Sequence, residues 1–244
     1  MSARGRYRES LGRLAVEEWD PYLTAHSALP GPRANLELLE VVGDIAPAQT
    51  LRRWAASPDE YLAACGAAGL GRLLAEGDEV AEAELRSLAT DARWRVREGV
   101  AIALQRLGDV DPGRLHLLAQ TWLGEDALVH RAAIAGLCEP RLLRTAEGVA
   151  AALDLLDHVT GWLHDLAPSR RRDEDVRVLR KSLGYCWSVA VAAAPETGFP
   201  RLERWAASQD PDVRWVVREN LTKARLFRAD STRTSRLAAI LAAR

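Results

Sequence analysis

An eight-residue pattern, D-x-R-W-x-V-R-E, occurs twice in this chain, and its two copies are 121 residues apart. Six identical positions in eight are not expected by chance in 244 residues, so we interpret the chain as built by repetition. Repetition of this kind is typical of arrays in which one small unit stacks on the next. The matched residues are Asp91, Arg93, Trp94, Val96, Arg97 and Glu98 in the first copy, and Asp212, Arg214, Trp215, Val217, Arg218 and Glu219 in the second.

The segments between the Gly and Pro positions show helical periodicity, and none shows sustained alternation of apolar and polar residues. The sequence therefore predicts an all-α protein with about five helix pairs in one continuous domain. Residues 1–44 are expected to form N-terminal capping helices, residues 45–228 the repeats, and residues 229–244 a C-terminal capping helix. The predicted pairs are 47–56 with 58–74, 79–89 with 92–107, 112–122 with 126–137, 146–164 with 174–194, and 196–207 with 212–228, after a leading segment 8–44 and before a closing helix 232–243.

In four of these pairs an acidic residue stands six positions before an arginine. The arginine borders the apolar face of the second helix, where a carboxylate from the turn would satisfy its guanidinium group. The first pair departs from the pattern, because Ala64 stands where the arginine is expected. The acids are Asp91, Glu125, Glu174 and Asp212, and the arginines are Arg97, Arg131, Arg180 and Arg218.

This spacing, together with the helix pairing, resembles HEAT repeats over roughly residues 45–228. The resemblance implies a right-handed α-α superhelix, a HEAT-like solenoid in which the acids and arginines form a ladder between neighbouring repeats. From that architecture we expect a non-catalytic scaffold that binds a protein partner on its concave face, through the second helix of each pair.

Trp94 and Trp215 lie off the main apolar face of their predicted helices, beside Glu98 and Glu219. Such a tryptophan either packs into the next repeat or lines the concave surface, where it would contact a base or a side chain of a partner. We interpret these four residues as facing the binding groove.

A second hypothesis comes from a group of bacterial alkylpurine DNA glycosylases with a HEAT-like fold. The segment 178–187 resembles their apolar-Arg-Lys helical motif, and Trp215 with Arg218 is similar to it. That resemblance implies DNA held on the concave face. The catalytic aspartate of the family is not matched, because Glu98 and Glu219 occupy that spacing without the neighbouring Asn and Asp. The alternative function is therefore nucleic-acid binding, and the glycosylase activity of that family is not expected for this chain.

Charge is unevenly distributed along the chain. Residues 1–13 carry a net charge of +3, residues 214–244 carry +6, and the remainder carries −10. The acidic body favours a protein partner over a nucleic acid. Arg170, Arg171 and Arg172 stand in a charged loop, where they either bind phosphate or an acidic partner or remain solvated.

Several other classes of site and location are not expected. The five histidines are scattered and Cys65, Cys138 and Cys186 lack CxxC spacing, so we predict no metal, no cofactor and buried, reduced thiols. No apolar run reaches the roughly 20 residues of a membrane span, and no secretion signal is evident, so a cytoplasmic location is expected. A HEAT-like lyase acting on a bilin shares only the fold, and the oligomeric state is left open.

Overall fold

The computed structural model describes residues 2–124 and 126–242. Within these ranges it contains fifteen α-helices, three short 3-10 helices and no β-strand, which confirms the all-α prediction. No helix in the described part of the chain is both long enough and apolar enough to cross a bilayer. The chain divides into two compact units, unit 1 (Met1–Asp111) and unit 2 (Pro112–Arg244). The predicted boundaries at residues 44 and 228 stay predictions.

Unit 1 is organised around one central helix, α5, which packs against α3, α4, α6 and α7. The side chains of α5 are almost all buried, because alanine and glycine dominate its sequence and let neighbouring backbones approach. Its end is marked by Gly77, whose φ of +100° suits glycine and closes the helix. The helices are α1 (Ala3–Gly12), α2 (Trp19–His26), α3 (Leu36–Ile45), α4 (Ala48–Ala55), α5 (Glu60–Ala75), α6 (Val80–Leu88) and α7 (Trp94–Val110).

The glycines of unit 1 show how close this packing is. A Cβ atom on Gly66 would lie 2.2 Å from the Ala55 nitrogen, and one on Gly71 would lie 2.4 Å from the Ala103 Cα. From the facing helix, a Cβ on Gly99 would lie 2.6 Å from the Ala64 oxygen. These positions therefore need glycine to bring α4, α5 and α7 together.

Unit 2 contains eight helices in the part that the structure describes. Three of them, α9, α11 and α13, pack successively side by side, and we call them the second-helix row. The helices α8, α10 and α12 pack successively in the same manner, and α10 and α12 also contact the second-helix row. The helices are α8 (Pro112–Thr121), α9 (Ala127–Leu137), α10 (Ala146–Asp165), α11 (Glu174–Ala193), α12 (Pro195–Ala206), α13 (Pro211–Leu221), α14 (Ala224–Ala229) and α15 (Ser231–Ala242).

Buried polar contacts fix α11 between its neighbours. The Trp187 indole donates to the Thr160 hydroxyl of α10 at 3.0 Å. On the other side, Asn220 of α13 accepts from the Ser188 backbone N–H at 2.7 Å and donates to the Leu183 carbonyl at 2.9 Å. Since buried polar groups are costly without partners, these bonds set the register between the helices.

The expected pairs appear as α4 with α5, α6 with α7, α8 with α9, and α10 with α11, which confirms those helices within a few residues. The prediction of one helix over 212–228 is wrong, because α13 ends at Leu221 and α14 begins at Ala224. The Thr222 hydroxyl donates to the Glu219 carbonyl at 2.7 Å, and the Lys223 backbone is extended. A hydroxyl that hydrogen-bonds to a nearby backbone carbonyl competes with the helical hydrogen bonds and so favours the end of a helix.

Candidate functional site

The predicted site residues of unit 2 gather around the start of α13. Asp210 caps this helix by accepting from the backbone N–H groups of Asp212 and Val213, both at 3.0 Å. The Asp212 carboxylate accepts from Arg171 at 3.0 Å and forms a second ion pair with Arg180 of α11. Its side chain is only 11% exposed, so both contacts are partly shielded from water. This cluster joins the loop before α11, α11 itself and α13.

The three loop arginines do not act together. Arg170 forms ion pairs with Asp173 at 3.3 Å and Asp175 at 3.5 Å. Arg171 is half-buried and contacts Asp210 at 2.7 Å, and it also donates to the His164 carbonyl at 2.9 Å. Arg172 is exposed. Two of the three side chains are therefore committed to contacts within the protein.

We use the term outer face for the solvent-facing side of the second-helix row, and Trp215 lies on it. The Arg180 guanidinium carbon is 4.8 Å from the centroid of its ring, a cation–π contact. The ring edge lies against α11, where a Cβ on Gly184 would be 2.9 Å from the Trp215 Cζ3 atom. Beside it, Glu219 accepts from Lys223 at 2.5 Å. Trp215 is consequently half-buried, with protein groups on its face and its edge.

The matching residues of unit 1 have a different environment. Trp94 is 45% exposed at the start of α7, and the Arg97 guanidinium lies 5.8 Å from its ring centroid. Glu98 accepts from Arg95 at 2.9 Å. Trp94 is thus exposed, whereas its counterpart in unit 2 is half-buried.

The same octapeptide also forms different ion pairs in the two units. In unit 1, Asp91 accepts two bonds from Arg93, which lower the pKa of this carboxyl, and Arg97 donates to the Asp91 carbonyl at 2.5 Å. In unit 2, Asp212 instead receives Arg180 from the preceding second helix. The position that matches Arg180 before α7 is Ala64, so no arginine of α5 is present there to reach Asp91.

The remaining ladder candidates divide into buried and exposed residues. Arg131 of α9 is buried, at 6% exposure. The Glu174 side chain is 75% exposed and lies 3.7 Å from Arg177. Arg218 is exposed, and Glu125 lies outside the described residues. Among the described contacts, the Arg180–Asp212 pair is the one that joins two consecutive helices of the second-helix row in the predicted way.

Sequence reasoning missed several cationic and aromatic residues on the same outer face. On α11, Arg177, Lys181 and Tyr185 follow one another at intervals of four residues and are all exposed. Arg225 of α14 donates to the Tyr185 hydroxyl at 2.6 Å, and its guanidinium lies 4.5 Å from the ring centroid. The interval of four was a usable signal, because it places side chains on one helical face. We call this set the basic strip; Arg177, Lys181, Tyr185 and Arg218 are its exposed members, and Trp215 and Arg225 are half-buried.

No group of side chains typical of a catalytic site is evident in the described ranges. No group of three or more His, Cys, Asp and Glu side chains there could hold a metal ion. Cys65, Cys138 and Cys186 are buried, free thiols. His130 is buried, and burial lowers its pKa to about 4, so the ring is neutral at pH 7.

No protein family and no curated protein matches this chain. Two crystal structures of engineered proteins, from the Northeast Structural Genomics Consortium, show a limited likeness. One is 15% identical, covers 81% of this chain and 97% of its own, and has a TM-score of 0.35. The other is 16% identical, covers 100% of this chain and 98% of its own, and has a TM-score of 0.37. At these TM-scores the likeness supports no statement about this chain.

Proposed function

We propose that this chain is a HEAT-like helical-repeat scaffold, a solenoid that acts by binding a protein partner rather than by catalysis. The partner would lie on the outer face of the second-helix row, which the proposal equates with the concave face of the superhelix. The observation that carries this proposal is the basic strip, in which exposed and half-buried cations and aromatic rings share one face of neighbouring helices.

The packing within unit 2 supports the repeat interpretation. The second helix of each pair contacts that of the next, as α9 does with α11 and α11 with α13. The Arg180–Asp212 ion pair joins two of these helices at the position where HEAT repeats would place their ladder. Stacked helix pairs of this kind form a rigid platform, since each pair is held by its neighbours. Arginine, tryptophan and tyrosine are also the residues most enriched in binding hot spots.

A photo-cross-linking experiment tests the proposal. Benzoylphenylalanine at position 185 replaces a tyrosine that is 47% exposed in the basic strip, and the same group at position 117 replaces a leucine that is 66% exposed on α8. Because position 117 lies outside the second-helix row, we expect a discrete protein adduct from position 185 only. The adduct would be identified by mass spectrometry and its binding repeated with the purified partner. Equal adducts from both positions, or none from position 185, would contradict the proposal.

Nucleic-acid binding is the second candidate, and the positive charge of the basic strip is the observation that favours it. Phosphate contacts dominate nucleic-acid binding and make it strongly dependent on salt. Binding of a DNA duplex that weakens steeply with salt, and that is lost when Lys181 and Arg218 are reversed in charge, would support this candidate.

A further inference from the structure

The basic strip is formed where three helices present cations to the same side. At 100° per residue, Arg177, Lys181 and Tyr185 drift by only 40° per step on α11, so they follow one face. On α13, Arg218 lies 60° from Trp215, on the side away from the buried residues. Arg225 of α14 then lies against Tyr185. The strip therefore lies on three helices, α11, α13 and α14, that pack against one another.

Most of these cations lack a carboxylate partner within the protein. In residues 2–124 and 126–242, Lys181, Arg218 and Arg225 form no ion pair, and Arg177 has only the exposed Glu174 at 3.7 Å. Elsewhere in unit 2 some exposed arginines are paired, as Arg236 is with Glu203 at 2.9 Å, whereas Arg144, Arg172 and Arg228 are exposed and form no ion pair among the described residues. The strip differs in that its three unpaired cations lie on helices that pack against one another, which makes it complementary to an anionic surface.

We infer that the partner of this scaffold presents an acidic segment whose Asp and Glu carboxylates bind Lys181, Arg218 and Arg225; this inference rests on the proposed function. Arg225 is held by stacking on Tyr185, so its N–H groups are oriented before a ligand arrives. A guanidinium fixed in this way suits the two oxygens of a carboxylate.

Two observations favour a protein carboxylate over a nucleic acid. Arg180 covers one face of the Trp215 ring and Arg225 covers one face of the Tyr185 ring, so each ring has only its other face left for stacking on a base. Glu219 places a negative charge beside Trp215.

Fluorescence anisotropy of the full chain with a labelled peptide of alternating Glu and Ser tests the inference. A peptide with Gln in place of Glu controls for charge, and a labelled oligo-thymidine tests the nucleic-acid alternative. The protein variant carries Lys181→Glu with Arg218→Glu. Its matched control carries Arg33→Glu with Arg144→Glu, which changes the net charge equally at exposed cations outside the strip. Lys181→Gln with Arg218→Gln is the milder second variant, and circular dichroism checks that each variant is folded.

We expect the acidic peptide to bind the wild type, the strip variants to weaken it by about tenfold or more, and the control to change it by less than about twofold. Absence of peptide binding by the wild type, equal weakening by both charge-reversed proteins, or tighter binding of oligo-thymidine would overturn the inference. If the peptide fails while cross-linking at position 185 still gives a protein adduct, the scaffold function stands and only the acidic partner is rejected. Failure of both experiments rejects both proposals.

Discussion

At the scale of single residues, Asp212 holds together parts of the chain that are distant in sequence. Its carboxylate forms ion pairs with Arg171 and Arg180. Its backbone N–H donates a hydrogen bond to the carboxylate of Asp210, which caps α13. Removing one partner of a shielded ion pair leaves the other charge poorly solvated, so such residues contribute more than surface pairs do. Glu174 is its counterpart in the predicted ladder, yet the Glu174 side chain is mostly exposed.

The contrast between these two acids gives a prediction. Asp212→Asn should lower the free energy of unfolding by about 1–3 kcal/mol, because two arginines lose a charged acceptor. Glu174→Gln is the matched control and should leave stability unchanged, since exposed pairs contribute little. Urea denaturation measures both. Equal effects of the two substitutions would show that Asp212 has no special role in joining α11 to α13.

His130 gives a prediction of pH dependence at the same scale. Its Nε2 atom accepts from the Gly124 backbone N–H at 3.1 Å, and the ring lies edge-on to Trp162 at 4.9 Å. Burial lowers its pKa to about 4, whereas an unfolded histidine titrates near 6.5. The unfolded chain therefore binds the proton first as the pH falls, and stability decreases between about pH 6.5 and pH 4.

We expect this group to remove about 3 kcal/mol of stability across that interval. His130→Gln should flatten the loss between about pH 6.5 and pH 4, while the exposed His26→Gln should keep it. Thermal unfolding measured over a pH series provides the test. An unchanged pH profile in His130→Gln would mean that the folded protein accepts the charged ring.

At the scale of helices, a second repeated motif has the same structural role in both units. The heptapeptide LRRWAAS at residues 51–57 recurs as LERWAAS at residues 202–208. In the first copy Arg53 and Trp54 bind Asp20 of α2, with the indole donating at 2.7 Å. The matching heptapeptide of α12 binds Asp157 of α10, and the Trp205 indole again donates at 2.7 Å. A tryptophan and a neighbouring arginine thus tie each of these helices to an acid on an earlier one.

Helix packing also predicts opposite effects for two glycine substitutions. Alanine is favoured over glycine inside a helix by roughly 1 kcal/mol, so Gly161→Ala should stabilise the protein because its Cβ would meet only Trp205, at 3.8 Å. Gly71→Ala should destabilise it by about 1–3 kcal/mol, because the Cβ would overlap the backbone of Ala103. Urea midpoints distinguish the two. Stabilisation by both would show that α5 and α7 separate easily.

At the scale of the whole molecule, the net charge of −1 is the sum of a negative charge on unit 1 and a positive charge on unit 2. Residues 1–111 carry −5, and residues 112–244 carry +4, with 20 Lys and Arg against 16 Asp and Glu. Most of these charges neutralise one another in local pairs. What distinguishes the basic strip is that its unpaired cations lie on neighbouring helices, which net charge alone does not report.

The sequence by itself determined the helical class and most helix positions. Apolar periodicity and the Gly and Pro positions are local properties, and they marked eight helices in the four leading pairs correctly. The break before Lys223 was missed, because it carries no Gly or Pro signal and depends on a threonine hydroxyl. The repeated octapeptide contains Trp215 and Asp212, and their predicted role in binding stays a prediction.

Only the tertiary structure decided how these residues pair and which charges stay open. Two octapeptides that match at six of eight positions hold different ion pairs, because α11 supplies Arg180 to Asp212, whereas α5 has Ala64 at the position that matches Arg180. Lys181 and Arg225 join one surface although 44 residues separate them in sequence. Charge pairing depends on the distances between side chains in space. A repeated sequence therefore determines one residue of each ion pair, and the fold determines which residue it meets.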